Sequence, residues 1–512
     1  MKKFLSKLFS RLVITAIIIL LQFAWIVATL YEAEAINPVF SLVLRGISVV
    51  IALYVVYKDM RPHNKMSWIF LILFIPIIGC PCYFLFGRSE MTKRTREQMA
   101  TLQAFVEPLR DVQEDVCESL KEQDDIAYKQ MMFAQNVSRY PVYREKDSKY
   151  YSVGDDMFVD MIEDIKNAKE FIFLEFFIMK QGQMFDTLVD ALAERAKAGV
   201  HVRLIYDDMG CIDEFPRHFY KVLQEKGIHV ACFNPFRPFL SIIMNNRDHR
   251  KIVVVDGKIA YTGGLNVADE YINVIERFGH WKDAGVRITG EAVWSFTTMY
   301  LEMWNFITKG TEDFTKFKVV DEKKEPEDIK KGYVQPYGDC PLDKRYLIEG
   351  LYLNLINHAR DYVYIFTPYL IIGSELSAAL INAARSGVDV RIVTPAIPDK
   401  KMVFLLTQAN YENLIHGGVK IYQYTPGFIH SKCMVVDDAY ASVGTTNLDF
   451  RALYLHFECG ALMYNTESVE KVKEDALRTF EISRQISLEE CENKNFFYQL
   501  FLSVMQLFSP LL

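Results

Sequence analysis

The chain has 512 residues, a formal net charge of −7 and a hydrophobic share of 51%. That length predicts more than one domain, and the acidic balance argues against a dedicated nucleic-acid binder, which carries a basic face. Nine cysteines, odd in number and scattered, give neither a disulfide framework nor a zinc spacing, which fits a reducing setting for the globular part.

Residues 12–30 form a nearly uninterrupted apolar run preceded by Lys2, Lys3, Lys7 and Arg11. At the α-helical rise such a run spans about 28 Å, enough for a hydrocarbon core. Ala33-Glu34-Ala35 resembles a signal cleavage site, but the run is long for a signal and a second follows at once. That second run, residues 39–57, is apolar except for Arg45 and is followed by Lys58, Arg61 and Lys65. The connection between them carries Glu32 and Glu34 and no Lys or Arg, so the positive-inside rule predicts a helical hairpin with both flanks in the cytoplasm. A third apolar run, residues 68–86, is interrupted by Pro76, Gly79 and Pro81 and leads into a basic stretch. Spanning would put those charges outside, so it reads as an interfacial or re-entrant segment. Residues 1–88 are therefore expected to be a membrane segment. Residues 89–140 read as a charged helical connector whose Lys93, Arg94 and Arg96 face either anionic headgroups or solvent.

The rest of the chain repeats itself. Asn167 to Leu174 leads through a helical stretch to Ala196 to Ile205, and His358 to Ile365 leads likewise to Ala384 to Val393. Each reads as strand, helix, glycine cap (Gly199, Gly387), strand. Further helices are predicted at 214–226 and 401–416. Two α/β lobes follow, at 141–310 and 333–512, joined by a charged linker, 311–332, that contains Pro326. At the carboxyl end, Phe496, Phe497, Leu500, Phe501, Val504, Leu507 and Phe508 form an apolar helix stripe that either faces lipid or packs on the protein.

Each lobe carries the same motif. In the first it is His249, Lys251 and Asp256 with Asn266 downstream; in the second it is His430, Lys432 and Asp437 with Asn447. His to Lys is two residues, His to Asp seven and His to Asn seventeen in both copies. One such match is a weak signal; two, each with the same downstream asparagine, leave little room for accident. The first copy reads as two strands around an Asp256-Gly257 turn. Residues i and i+2 of a strand share a face, so His and Lys project together. A neutral imidazole attacks phosphorus, while an ammonium and an amide hold the phosphate oxygens. One copy is half a site; two facing copies supply a nucleophile and a general acid, an arrangement that a histidine pair sharing one proton provides.

These residues resemble the phospholipase D superfamily, whose signature is this doubled motif. The flanking Asn246-Arg247-Asp248, Gly263-Gly264-Leu265, Asp269-Glu270-Tyr271 and Tyr424-Thr425-Pro426-Gly427-Phe428-Ile429 are similar to bacterial cardiolipin synthases. The resemblance implies two α/β lobes related by a pseudo-twofold axis, behind the membrane hairpin. It implies transfer of a phosphatidyl group from one phosphatidylglycerol to a second at the bilayer with its anionic phospholipids, through a phosphatidyl-histidine, without metal or other cofactor. It also implies His249 as nucleophile and His430 as acid, then base, an assignment the residues alone leave open. Lys251, Lys432, Asn266 and Asn447 then hold the phosphate. Asp283 and Glu458 match the acids that orient the histidines, which leaves Asp256 and Asp437, counted with the motifs in the catalytic set, as structural residues at the strand turns. Hydrolysis to phosphatidic acid, or transfer to another acceptor, remains open. The chain departs from the family at Ala452, at Asp339-Cys340-Pro341 and at His456, which is either a third site histidine or a rim residue.

Overall fold

The computed structural model describes residues 38–87, 92–212, 218–235, 245–319, 332–343, 345–493 and 495–511, with scattered positions between 17 and 32. It divides into two compact units, Met1–Thr92 with Asn234–Asn246 and Asn495–Leu512, and Lys93–Phe233 with Arg247–Lys494.

In the first unit, helix α1 spans Pro38–Tyr57. Within it, Val39–Tyr57 is the one stretch among the described residues that is long and apolar enough to cross a membrane. The predicted first span, 12–30, lies largely outside the described residues, so the hairpin is reduced to one observed candidate. The third apolar run is two helices, α2 (Pro62–Phe74) and α3 (Pro76–Phe86). The break falls at Ile75 because the residue before a proline is driven out of the α region, and Pro76 then starts the next helix without losing a hydrogen bond. Gly79 lies so close to the Leu71 carbonyl that a Cβ would come within 2.2 Å of it, so only glycine admits this turn. Val55, Trp68, Ile72 and Tyr83 form the small core. The C-terminal helix Phe496–Phe508 packs on α2, with Phe508 edge-on to Phe70 at 5.9 Å.

The second unit holds two sheets. In the first, seven strands run in chain order as β1 (Asp147–Tyr151), β2 (Phe171–Phe176), β3 (His201–Asp207), β4 (His229–Phe233), β5 (Ile252–Val255), β6 (Ile259–Gly263) and β7 (Gly285–Thr289). Their spatial order is β1-β7-β6-β5-β2-β3-β4. The second sheet contains β8 (Tyr333–Asp339), β9 (Tyr362–Phe366), β10 (Asp389–Pro395), β11 (Lys420–Tyr424), β12 (Cys433–Val436), β13 (Tyr440–Gly444), β14 (His456–Tyr464) and β15 (Ser483–Gln485). Its order is β8-β14-β13-β12-β9-β10-β11-β15, with the short strand Tyr143–Arg144 beyond β8. Strand for strand, β8 to β14 repeat β1 to β7. In each sheet three parallel strands, β2-β3-β4 or β9-β10-β11, meet an antiparallel run that begins at the motif strand, β5 or β12. The central strands β2, β5, β9 and β12 are buried on both faces, which their Val, Ile and Phe content permits.

The charged stretch after the membrane run folds as helices Lys93–Val106, Glu114–Gln123 and Asp125–Ser138. Val116, Leu120, Ala127 and Met131 from them enter the core beneath the second sheet. Of the predicted linker, residues 320–331 lie outside the described residues. Just before them Phe317 packs edge-on to Phe171 and Phe173 at 5.1 and 5.0 Å.

Candidate active site

Each motif begins immediately before a central strand. Asp256 and Asp437 sit at the far ends of those strands in the left-handed region, both with φ of 52°. The Asp256 carboxylate accepts from the backbone N–H groups of Lys169, Glu170 and Phe171 at 2.8, 2.8 and 3.0 Å. Asp437 accepts from Arg360, Asp361 and Tyr362 at 2.7, 2.9 and 2.8 Å. Counted with the motifs in the catalytic set, both are also expected as structural residues at the strand turns, and bonds of that kind are what they make here. These bonds run from backbone N–H groups at the start of the neighbouring strand, so the two carboxylates fix β5 against β2 and β12 against β9.

The histidines are held crosswise. Arg247–Asp248 pairs in parallel with His456–Phe457, and Gly427–Ile429 pairs with His280–Lys282. The His249 N–H donates to the Phe457 carbonyl at 3.0 Å, and the His430 N–H to the Lys282 carbonyl at 2.7 Å. The next residue along each of these partner segments is an acid. His249 Nδ1 lies 2.9 and 3.1 Å from the two carboxylate oxygens of Glu458, and His430 Nδ1 lies 2.7 Å from Asp283 Oδ2. The half that carries one histidine therefore supplies the acid that orients the other. With Nδ1–H donating to a carboxylate, each ring keeps Nε2 unprotonated and available.

All of these groups are buried. Burial drives His249 well below the usual imidazole value, with Lys251 adding to the effect. Burial also lowers His430, to about 4, while Asp283 pulls it back up. Burial brings Lys251 to about 8 and Lys432 to about 7. Lys432 lowers His249, and Lys251 lowers His430 and Lys432, so residues of both motifs share one electrostatic environment. Each lysine ammonium donates to the carbonyl of its own motif histidine. Glu458 is raised by burial, against the pull of Lys251 and of the Thr445 hydroxyl that donates to it.

The two asparagines differ. Asn266 accepts from the Ile178 N–H and donates to the Tyr271 hydroxyl, both at 2.9 Å. The Asn447 carbonyl oxygen and the Thr446 hydroxyl are buried without a hydrogen-bond partner; of the two, only the hydroxyl can donate to a phosphate oxygen. His456 stands beside His249, its ring 5.6 Å away and both its nitrogens without a hydrogen-bond partner. Among the described residues His249, His456 and Glu458 bring three metal-ligand atoms within 4.8 Å of one another. The surrounding charges of Arg451, Lys251, Arg247 and Lys400, which depress His456 after burial has done so, favour an anion there over a dication.

Two supports were not singled out in the sequence. Lys282 bonds Asp475 at 2.8 and 2.9 Å and the Ser152 carbonyl at 2.9 Å, anchoring the segment that holds His430. Arg250 is buried between Glu175 at 2.7 Å and Asp248 at 3.1 Å, which fixes the first motif. Buried Arg and Lys beside a motif were the available signal; their partners lie too far away in the chain to be read.

Two histidines, two lysines and two crosswise acids in one buried site are the groups that phosphodiester transfer calls for. The cardiolipin synthase, PLD-like domain family matches residues 161–277 and 352–479, and the phospholipase D-nuclease N-terminal family matches residues 47–88. A cardiolipin synthase of Alkalihalophilus pseudofirmus is 31% identical over 499 residues, covering 96% of this chain and 95% of that protein. The chain belongs to the cardiolipin synthase family. An uncharacterised Streptococcus mutans protein is 39% identical over 462 residues, covering 90% of this chain and 99% of its own. The fold is also that of the Haemophilus influenzae phosphatidylserine synthase, with a TM-score of 0.57 and 16% identity, covering 75% of this chain and all (100%) of that one. Membership makes this chain a membrane-associated phosphatidyltransferase that forms cardiolipin.

Proposed function

We propose that both substrates are phosphatidylglycerol and that the reaction runs through a phosphatidyl group on His249. His249 Nε2 attacks phosphorus, the bond to the headgroup glycerol oxygen breaks, and His430 gives that oxygen its proton. His430 then takes the proton of a terminal hydroxyl of the second phosphatidylglycerol. That oxygen attacks phosphorus, the P–N bond breaks, and cardiolipin and glycerol are the products. Two phosphodiesters exchange at little net cost, so the reaction needs no nucleotide. Lys251, Lys432 and Asn447 hold the phosphoryl oxygens, and Asn266 acts through Tyr271, whose ring meets that of His430 at 5.3 Å.

The observation that carries the reading is the crosswise pairing of His249 with Glu458 and His430 with Asp283. Electrostatics support these roles. Burial and the neighbouring motif lysine lower both imidazoles; Asp283, at 2.7 Å, pulls His430 back up, while His456 lowers His249 further. When the phosphodiester anion enters, His430 is the first to take a proton. The same pairing, with the matching strand orders, supports two lobes about a pseudo-twofold axis within 141–310 and 333–512, less Asn234–Asn246 and Asn495–Leu512, which group with the first unit. Positive flanks support a multi-pass membrane segment with the lobes on the cytoplasmic side.

The test is adduct mapping. Enzyme incubated with phosphatidylglycerol and quenched in alkali should carry a phosphatidyl group on His249, and His249→Ala none. An adduct on His430 reverses the roles, and no adduct under any quench time refutes the double displacement.

A further inference from the structure

The C-terminal helix Phe496–Phe508 contains no acidic or basic residue and has two unlike faces. One face is docked. Leu502 is 5% exposed, the Leu507 carbonyl accepts from the Ser67 hydroxyl of α2, and Phe508 meets Phe70. The other is bare. Phe496, Phe497, Leu500, Phe501 and Val504 are 69%, 76%, 51%, 45% and 45% exposed. Their spacing, i, i+1, i+4, i+5, i+8, makes one continuous apolar stripe.

An apolar stripe of this size is an interaction surface. Its occupant follows from the company it keeps. The helix belongs to the same compact unit as α1, the candidate span, whose Val39, Leu42, Val50 and Leu53 are themselves more than 60% exposed (64%, 72%, 66% and 63%). Phe74 of α2, the helix on which it docks, is 72% exposed. A second protein copy would cover one side of such a unit; lipid solvates all of it. Thirteen residues reach only about 20 Å, short of the ~30 Å hydrocarbon core, so the helix does not span. The geometry points to the C-terminal helix as a second membrane contact, lying in the interface with its phenylalanine stripe among the upper acyl chains of the bilayer that holds α1. The chain is then fastened to the membrane at both ends of its catalytic region.

The test uses full-length enzyme in phosphatidylglycerol–phosphatidylcholine vesicles, with Phe497→Trp and Phe501→Trp read against the five native tryptophans. Lipids brominated near the headgroup end of the acyl chains should quench the added emission at least twofold, and lipids brominated at the bilayer centre should quench it less. Added emission that no brominated lipid quenches overturns the proposal, including the case where a second copy covers the stripe. The double variant Phe497→Asp, Phe501→Asp should lose about tenfold in transfer on vesicle lipid and little on short-chain, detergent-dispersed lipid. Equal loss on both makes the stripe a folding element and also overturns it. Quenching needs no turnover, so the result stands apart from the choice of acceptor.

Discussion

Glu458→Gln isolates the crosswise positioning of the nucleophile. The side chain keeps its shape and still offers one oxygen to His249 Nδ1–H, now at two contacts of 2.9 and 3.1 Å. It loses the charge that faces the imidazole as the ring becomes cationic on bonding to phosphorus. The imidazole is neutral in the ground state and cationic in the transition state, so the charge-assisted part of the bond, ~1.5–3 kcal/mol, is lost in the transition state beyond what is lost in the ground state. A total of about 1.5–3 kcal/mol corresponds to a fall of ~10–150-fold in kcat, with KM changed much less. Because Glu458 also raises Lys251, the variant's alkaline limb should move to lower pH. The assay is steady-state glycerol release from phosphatidylglycerol, with the rate of adduct formation on His249 and the thermal midpoint measured alongside. A folded Glu458→Gln enzyme with wild-type kcat would refute the crosswise account.

Other consequences are independent of this one. Asp256→Ala strands three backbone N–H groups and should cost about 2–4 kcal/mol of stability, seen as a lower thermal midpoint, while the folded fraction keeps its kcat; a stable but inactive variant would return Asp256 to the chemistry. His456→Ala should cost less than about tenfold in kcat, because its Nδ1 stands 3.7 Å from Glu458 and holds no bond to it; a loss as large as that of Glu458→Gln would make His456 part of the machinery. Lys432 and Lys251 are charged below about 7 and about 8 and neutral above, so orthovanadate binding should weaken as pH rises from 6 to 9. If both charges are needed, the fall reaches about two to three orders of magnitude, and a flat profile by calorimetry would contradict their role. Lys282→Met should lower kcat by uncoupling the His430 segment from Asp475, and Lys282→Arg should restore part of it; equal loss in both would point to misfolding alone.

The doubled motif was legible because its spacing is rigid: strand periodicity fixes His beside Lys, and the turn fixes Asp seven residues on. The repeat of strand, helix, glycine and strand was legible for the same local reason. The crosswise acids were not assignable, since Glu458 lies 209 residues from His249 and Asp283 147 residues from His430, and no local pattern says which half orients which. The break at Ile75 was signalled by Pro76, but the start of α2 at Pro62, six residues before Trp68, was hidden by the polar His63, Asn64 and Lys65. The stretch after the membrane run reads as a charged helical connector, but its scattered apolar positions do not say that Val116, Leu120 and Met131 enter the core beneath the second sheet. Of the C-terminal stripe, Phe508 docks on α2 while Phe496, Phe497, Leu500, Phe501 and Val504 stay exposed, a division the stripe's spacing alone does not reveal. His456 was visible as a departure, but its place beside His249 depends on strand pairing between the halves.

The most direct measurement is incubation of the purified, detergent-solubilised enzyme with phosphatidylglycerol alone, with His249→Ala in parallel. The account predicts cardiolipin and glycerol in equal amounts from wild type and neither from the variant. Phosphatidic acid as the main product, or no product until a different lipid is supplied, would contradict it.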